Sequence, residues 1–188
     1  MTNPPELRLC DGDDGKVLGV LQAGRVRGTA THAYHKSELV RIPNRDGFAM
    51  DAKILKPVGM AAGKKYPVFL DIYGGPDTPV FNNSWNRGAS TWHQFLAEQG
   101  VIVFQVNNRS ASGAGQVHTA TCYKQFNVTE LRDFLDALDW LGAQGYADLD
   151  RVAINGWSFG GSMAAFALCK SDRFKLGFAG AGVYDWRL

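Results

Sequence analysis

The sequence lacks the features that would place it in a membrane or on a nucleic acid. No apolar run approaches the ~18 residues of a membrane span, and the N-terminal Met-Thr-Asn-Pro-Pro-Glu has neither the basic start nor the apolar core of a signal peptide. The 20 lysines and arginines nearly balance the 18 aspartates and glutamates, and both signs are spread along the chain. We therefore expect a soluble domain with no membrane segment and no nucleic-acid partner, which binds a small molecule or a peptide.

Cysteine is also scarce. The three cysteines, Cys10, Cys122 and Cys169, are widely spaced, which fits neither a disulfide framework nor a zinc site. We interpret each of them as a small, buried apolar side chain. The sequence therefore predicts no metal and no cofactor.

The chain is long enough, at 188 residues, for one domain with a sizeable core. Residues 6–10 and 17–22 flank the turn-forming run Asp-Gly-Asp-Asp-Gly and predict a hairpin, and a polar linker at 23–36 follows it. We therefore assign residues 1–36 to a short β segment with its linker, and residues 37–188 to the main domain.

The main domain alternates strands with helices. It begins with a second predicted hairpin, 39–42 and 48–54, in which apolar side chains alternate. Short runs rich in Val, Ile and Phe then predict strands that are buried on both faces of a parallel sheet, at 67–73, 101–106 and 151–154. Helical patterns follow these three runs at 91–99, 128–141 and 161–170. A last strand is expected at 176–181. The order predicts an α/β fold with a mostly parallel sheet.

The start of the second helix has a capping pattern. Asn127 and Glu130 stand before and within its first turn, at the spacing of a capping box. We therefore expect this helix to begin at Asn127.

The run Gly-Trp-Ser-Phe-Gly at 156–160 matches G-x-S-x-G, the pattern of a nucleophile elbow. It lies between the strand at 151–154 and the helix at 161–170, which is the context that the elbow requires. The two glycines let strand and helix approach, and the helix start places N–H groups where an oxyanion develops. The alternative, a serine that only caps a helix, leaves the glycines and the buried strand unexplained. We predict Ser158 as the nucleophile and the backbone N–H of Phe159 as an oxyanion donor.

Two further segments lie at the ends of predicted strands. In Asp-Ile-Tyr-Gly-Gly-Pro at 71–76, Tyr73 stands where esterases and lipases carry the histidine of an H-G-G-G-type loop. Its hydroxyl could donate a second hydrogen bond to the oxyanion, or its ring could simply pack on the core. The polar loop at 107–115 is either an ordinary connection or part of a ligand crevice.

Together these segments resemble the prolyl oligopeptidase family of serine peptidases, and within it the dipeptidyl peptidase IV-like branch. The resemblance covers roughly residues 38–188 and rests on five stretches, at 66–76, 101–115, 138–141 with 150–152, 156–161 and 183–187. It implies an α/β-hydrolase fold, truncated after about the sixth strand. It also implies that residues 1–36 resemble the end of a β-propeller.

The resemblance also implies roles for individual residues. The hydroxyl of Tyr73 would donate to the oxyanion. Phe159 would line the pocket for the substrate side chain that precedes the cleaved bond, often proline or alanine, and Val183 and Trp186 would form further apolar walls. The family commonly has tyrosine at the position of Phe159, so a hydroxyl is absent there while the backbone donor is kept. The implied substrate is a peptide.

The rest of a catalytic triad is missing from this sequence. In α/β-hydrolases an acid and then a histidine follow the nucleophile. After Ser158 the chain offers Asp172 and Asp185 as acids and no histidine, and all four histidines precede it. A serine without a base is a weak nucleophile near neutral pH. We therefore expect the chain to be part of a longer peptidase and to have little or no activity alone.

Two other functions stay open at this stage. A carboxylesterase or acyl-aminoacyl hydrolase could use the same fold, because fold and elbow do not fix the substrate. A shortened, non-catalytic binding or scaffold protein is the third alternative. The Tyr-Gly-Gly-Pro loop favours the peptidase.

Overall fold

A six-stranded sheet forms the centre of the chain. The computed structural model describes residues 5–24, 35–82, 90–111, 113–185 and 187. In these residues the strands and helices follow in the order β1 (Leu7–Cys10), β2 (Val17–Gln22), β3 (Glu38–Pro43), β4 (Ala49–Leu55), β5 (Tyr66–Ile72), α1 (Ser90–Glu98), β6 (Ile102–Val106), α2 (Gln116–Thr119), α3 (Val128–Ala143), β7 (Ala147–Trp157), α4 (Phe159–Lys170) and β8 (Leu176–Gly180).

The sheet has the order β3-β4-β6-β5-β7-β8. Strand β4 is antiparallel to both β3 and β6, whereas β6, β5, β7 and β8 are parallel. The predicted α/β fold is confirmed, because a hairpin leads into a parallel sheet that helices cover. From β5 the chain continues to β6 on one side of it and then crosses to β7 on the other side. Where successive strands change direction across a parallel sheet in this way, a crevice opens at their carboxyl ends.

Helices cover the two faces of the sheet unequally. Successive side chains of a strand point to opposite faces. Leu70 of β5 joins the larger core cluster, which includes Phe134 of α3 and Met163 of α4. Its neighbour Phe69 joins a smaller cluster with Ala97 of α1. Helices α3 and α4 therefore pack on one face, and α1 packs on the other.

Strand β7 is longer than its apolar run predicted. It begins at Ala147, which pairs with Tyr66 of β5. A register shift follows Pro67, and Val68 then pairs with Val152. Asp148 and Asp150 lie in this added part, so a hydrophobic pattern could not reveal it.

The predicted burial of the cysteines is wrong for two of the three. Cys122 is buried, but Cys10 and Cys169 are exposed. Cys10 ends β1, whose residues all face solvent, and Cys169 lies in the last turn of α4. All three cysteines are free thiols in this structure.

The N-terminal hairpin forms as predicted. Strands β1 and β2 pair antiparallel in a sheet of their own, and most of their apolar side chains are exposed. The predicted linker lies mostly outside the described residues. The division at residue 36 and the resemblance of 1–36 to a propeller end stay predictions.

Helix α3 begins at a left-handed residue and not at the predicted side-chain cap. Asn127 has φ 72° and its side chain makes no capping hydrogen bond. The carboxylate of Glu130 instead accepts a hydrogen bond from the hydroxyl of Ser110 at 3.2 Å. Glu130 is fully buried, and this burial raises the pKa of its carboxyl.

We predict that Glu130→Gln becomes more stable relative to the wild type as the pH rises from about 5 to about 8. Because the folded state raises the pKa of Glu130, its stabilising contribution is full below the unfolded value of 4.5 and is lost as the pH rises through the folded value. Glutamine keeps an acceptor oxygen but cannot ionise. Urea unfolding of both proteins at the two pH values measures the difference.

Glu98→Gln is the matched control, since it removes a carboxyl from the exposed surface of α1. A stability difference between Glu130→Gln and wild type that stays constant with pH would contradict the prediction.

Candidate active site

Ser158 lies at the sharp turn between the end of β7 and the start of α4. Its backbone has φ 58° and ψ −123°, a conformation that a non-glycine residue keeps only when its surroundings hold it. The N–H of Ser158 donates to the carbonyl oxygen of Gly180 on β8 at 2.9 Å. The serine is exposed at the carboxyl end of the sheet. The geometry is that of a strand-turn-helix elbow, whereas the catalytic role of the serine is a separate prediction.

Glycines on both sides of Ser158 let strand and helix touch. A Cβ at Gly156 would lie 2.0 Å from the carbonyl oxygen of Gly160. A Cβ at Gly160 would lie 2.7 Å from the carbonyl oxygen of Ile72 on β5. Backbone atoms cannot move away as a flexible side chain could. Close contact therefore requires glycine at both positions.

Tyr73 reaches the same edge of the sheet from the end of β5. The centroids of its ring and the ring of Phe159 lie 6.2 Å apart. Gly75 packs beside both rings, since a Cβ there would lie 2.5 Å from Cε1 of Tyr73 and 3.3 Å from Cγ of Phe159. The fold thus brings Tyr73 and Phe159 together next to Ser158.

A buried carboxylate that the sequence analysis missed lies two residues before Tyr73. Asp71 accepts a hydrogen bond from Nε2 of Gln105 on β6 at 2.6 Å and another from Nδ2 of Asn155 on β7 at 2.7 Å. Nε2 of His93, on α1, lies 3.3 Å from the same carboxylate. This polar ladder joins three adjacent strands near their carboxyl ends. A polar residue in or just after each of the three apolar runs was its signal in the sequence.

The loop after β6 supports the segment that follows Tyr73. Oδ1 of Asn107 accepts a backbone N–H from that segment at 2.8 Å, and the carbonyl oxygen of Ser110 accepts the N–H of Asp77 at 2.8 Å. Arg109 anchors the loop through its guanidinium, which lies 2.6 Å from the fully buried carboxylate of Asp133. The loop after β6 therefore holds the segment that follows Tyr73 in place.

The predicted pocket walls are only partly described. The carbonyl oxygen of Val183 accepts the hydroxyl of Ser162 at 2.9 Å, which holds Val183 close to the first turns of α4. Trp186 lies outside the described residues, so its place in the wall stays a prediction. Trp157, which sequence reasoning did not single out, is 70% exposed beside the serine. Its ring covers Gly180, where a Cβ would lie 2.4 Å from it.

The hydroxyl of Ser158 has no hydrogen-bond partner among the described residues. His93 is held by the buried carboxylate on β5, and His118 packs on an aromatic side chain. Asp185 forms an ion pair at 2.7 Å with Arg187, whose hydrogen bonds lower the pKa of the aspartate. These residues are therefore engaged in other contacts.

Grouped metal ligands and membrane-spanning helices are both absent from the described residues. Across the part of the chain that the structure describes, no three His, Cys, Asp or Glu side chains are grouped as metal ligands. None of the helices in that part has the length and apolar character needed to traverse a bilayer.

The strand order, the turn at Ser158 and the loop at Tyr73 define an α/β-hydrolase. The sequence model of the prolyl oligopeptidase family matches residues 88–188. Dipeptidyl peptidase 8 of Mus musculus is 34% identical over 155 residues, which are 81% of this chain and 17% of that protein. Prolyl endopeptidase FAP of Homo sapiens is 31% identical over 185 residues, which are 97% of this chain and 24% of that protein. The chain belongs to the prolyl oligopeptidase family, and by family it is of the serine peptidase type.

Solved structures share the fold of this chain. A putative dipeptidyl aminopeptidase IV of Bacteroides ovatus matches with a TM-score of 0.88 at 29% identity, over 96% of this chain and 26% of that one. Dipeptidyl peptidase 4 of Porphyromonas gingivalis matches with a TM-score of 0.85 at 28% identity, over 98% of this chain and 26% of that one. The predicted family and hydrolase fold are confirmed. The chain spans about a quarter or less of the length of these relatives.

We predict that Gly156→Ala destabilises the fold by about 2 kcal/mol or more, because its Cβ would overlap backbone atoms of Gly160. Gly19→Ala is the matched control. Gly19 also lies in a strand, but a Cβ there has no atom within 4 Å. We expect its effect to stay within about 0.5 kcal/mol. Urea denaturation followed by tryptophan fluorescence measures both, and equal stabilities would mean that strand and helix are not in contact at Gly156.

Proposed function

We propose that Ser158 is the nucleophile of a serine peptidase that cleaves peptide bonds by acyl transfer. The observation that carries this proposal is the backbone of Ser158, held at φ 58° and ψ −123° between a buried strand and a helix. Backbone strain of this kind is kept where the surrounding structure over-determines it, and it clusters at active sites. The membership of the chain in the prolyl oligopeptidase family supports the same assignment.

The reaction has two steps. The Oγ of Ser158 attacks the carbonyl carbon of the peptide bond while a histidine takes the hydroxyl proton. The carbonyl oxygen becomes an oxyanion, and two donors stabilise it, the backbone N–H of Phe159 at the start of α4 and the hydroxyl of Tyr73. The tetrahedral intermediate collapses, the amine leaves with the proton from the histidine, and water then hydrolyses the acyl-enzyme.

Aromatic and apolar side chains around the serine form a pocket for the substrate residue that precedes the cleaved bond. Phe159 forms one wall of this pocket, and Val183 and Trp186 form others. The ring of Phe159 lies against the loop of Tyr73, so the pocket and the oxyanion donors share one support. The relatives carry the names dipeptidyl peptidase and prolyl endopeptidase, which favours a substrate with proline before the bond.

Catalysis on this proposal needs residues from outside the present sequence. No histidine follows Ser158, and two of the described histidines, His93 and His118, make other contacts. We assign the base and its acid to the remainder of a longer protein, since the chain spans only 17% to 26% of its relatives. The activity is accordingly a property of that whole protein.

We predict that Ser158→Ala in the full-length protein lowers kcat/KM for a proline-containing dipeptide amide by about 10⁴-fold or more. Tyr73→Phe should lower kcat by about 10² to 10³, because it removes one oxyanion donor and keeps the ring. Tyr123→Phe is the control, since Tyr123 is an exposed tyrosine in a different loop. It should leave kcat unchanged.

The same assay separates the alternatives. A wild type that hydrolyses a simple acyl ester but no peptide amide would favour the carboxylesterase. A wild type that hydrolyses neither would favour the non-catalytic protein, and full peptidase activity in Ser158→Ala would contradict the assignment of the nucleophile.

A further inference from the structure

Phe159 contacts a second aromatic ring that the proposed mechanism does not use. The ring of Phe126 meets it edge-on, with centroids 5.7 Å apart and an angle of 80° between the ring planes. Phe159 therefore contacts two aromatic rings, those of Tyr73 and Phe126. Phe126 comes from the turn before α3, a part of the chain distant from the serine in sequence.

The backbone around Phe126 is strained on both sides. Lys124 has φ 57° and Asn127 has φ 72°, so two non-glycine residues within four positions adopt the left-handed region. Local contacts must hold a turn with two such residues in place. Phe126 lies between them and is 42% exposed, so its ring is only partly buried in the core.

Hydrogen bonds hold the strained turn in place. The N–H of Gln125 donates to the carbonyl oxygen of Cys122 at 3.0 Å, and its side-chain Nε2 donates to the carbonyl oxygen of Thr121 at 2.8 Å. On the other side of Phe126, the carbonyl oxygen of Asn127 accepts a hydrogen bond from the N–H of Leu131 in α3 at 3.1 Å. The turn is therefore fixed to the preceding segment and to α3, and Phe126 is presented to Phe159 on a rigid support.

We propose that Phe126 is a positioning residue, which fixes the ring of Phe159 by edge contact and so sets the width of the pocket beside Ser158. This inference rests on the proposed peptidase function of that site. An edge-to-face pair restricts the rotation of both rings. Without Phe126, the ring of Phe159 can turn toward the vacated space, and the pocket can admit a larger side chain before the cleaved bond.

The test compares two dipeptide amides, one with proline and one with leucine before the bond, in the full-length protein. Phe126→Ala should shift the ratio of their kcat/KM values toward leucine by about fivefold or more, and Phe126→Tyr should restore the wild-type ratio. Tyr123→Ala, in the same segment, removes an aromatic ring that does not contact Phe159 in any described pair. It should leave the ratio unchanged.

A double-mutant cycle tests whether Phe126 acts through Phe159. In a Phe159→Ala background, the shift caused by Phe126→Ala should disappear. A wild-type ratio in Phe126→Ala, or an equal shift with and without Phe159, would overturn the inference while leaving the peptidase function intact.

A stability measurement tests the contact without catalysis. The unfolding free energies of Phe126→Ala and Phe159→Ala should be non-additive in the double variant, because both remove the same ring pair. Additive effects would overturn the inference even if the protein cleaves no peptide. A wild type that is inactive on both amides contradicts the proposed function, and the cycle in stability still decides whether Phe126 holds Phe159.

Discussion

Direct contact between the backbones of β7 and α4 sets the geometry of the site. Because Gly156 and Gly160 have no side chains, the helix can begin against the strand that leads into it, and Ser158 turns between them with a positive φ of 58°. The start of α4 then points at the carboxyl edge of the sheet. Gly160 also touches the carbonyl oxygen of Ile72, so the same contact brings the end of β5 and Tyr73 within reach of the serine.

The buried ladder around Asp71 secures this arrangement from the face of the sheet that carries α1. A carboxylate that is buried must be hydrogen-bonded, and here amide donors from two neighbouring strands satisfy it. Hydrogen bonds to charged groups contribute about 1.5–3 kcal/mol each, so the ladder resists any slip between the strand ends. The loops that carry Tyr73 and Ser158 begin directly beyond it. This matters for function because a displacement of about 1 Å at a reacting group can cost 10²-fold in rate.

The fold and the elbow in the candidate site could be predicted from the sequence, because their signals are local. A buried strand, a G-x-S-x-G turn and a helical pattern in direct succession indicated the elbow at Ser158, and Asp-Ile-Tyr-Gly-Gly-Pro indicated the loop at Tyr73. The start of β7 was hidden by charged residues, since that part of the strand is not buried on both faces. The capping role of Asn127 was wrong because the residue adopts a left-handed backbone that spacing cannot reveal.

Features that depend on contacts between distant segments could not be predicted. The ladder joins Asp71, Gln105 and Asn155 only because β5 lies between β6 and β7. The sequence of a single segment does not determine the order of strands in a sheet. The pairing of Phe126 with Phe159 depends in the same way on where the turn before α3 falls in space.

Covalent labelling of the full-length protein tests the central claim most directly. A fluorophosphonate probe reacts with an activated serine by forming a phosphorus–oxygen bond at Oγ and releasing fluoride, and peptide mapping by mass spectrometry locates the adduct. The account predicts one adduct, on Ser158, and none in Ser158→Ala. An adduct on another serine, or peptidase activity that survives without labelling of Ser158, would contradict it.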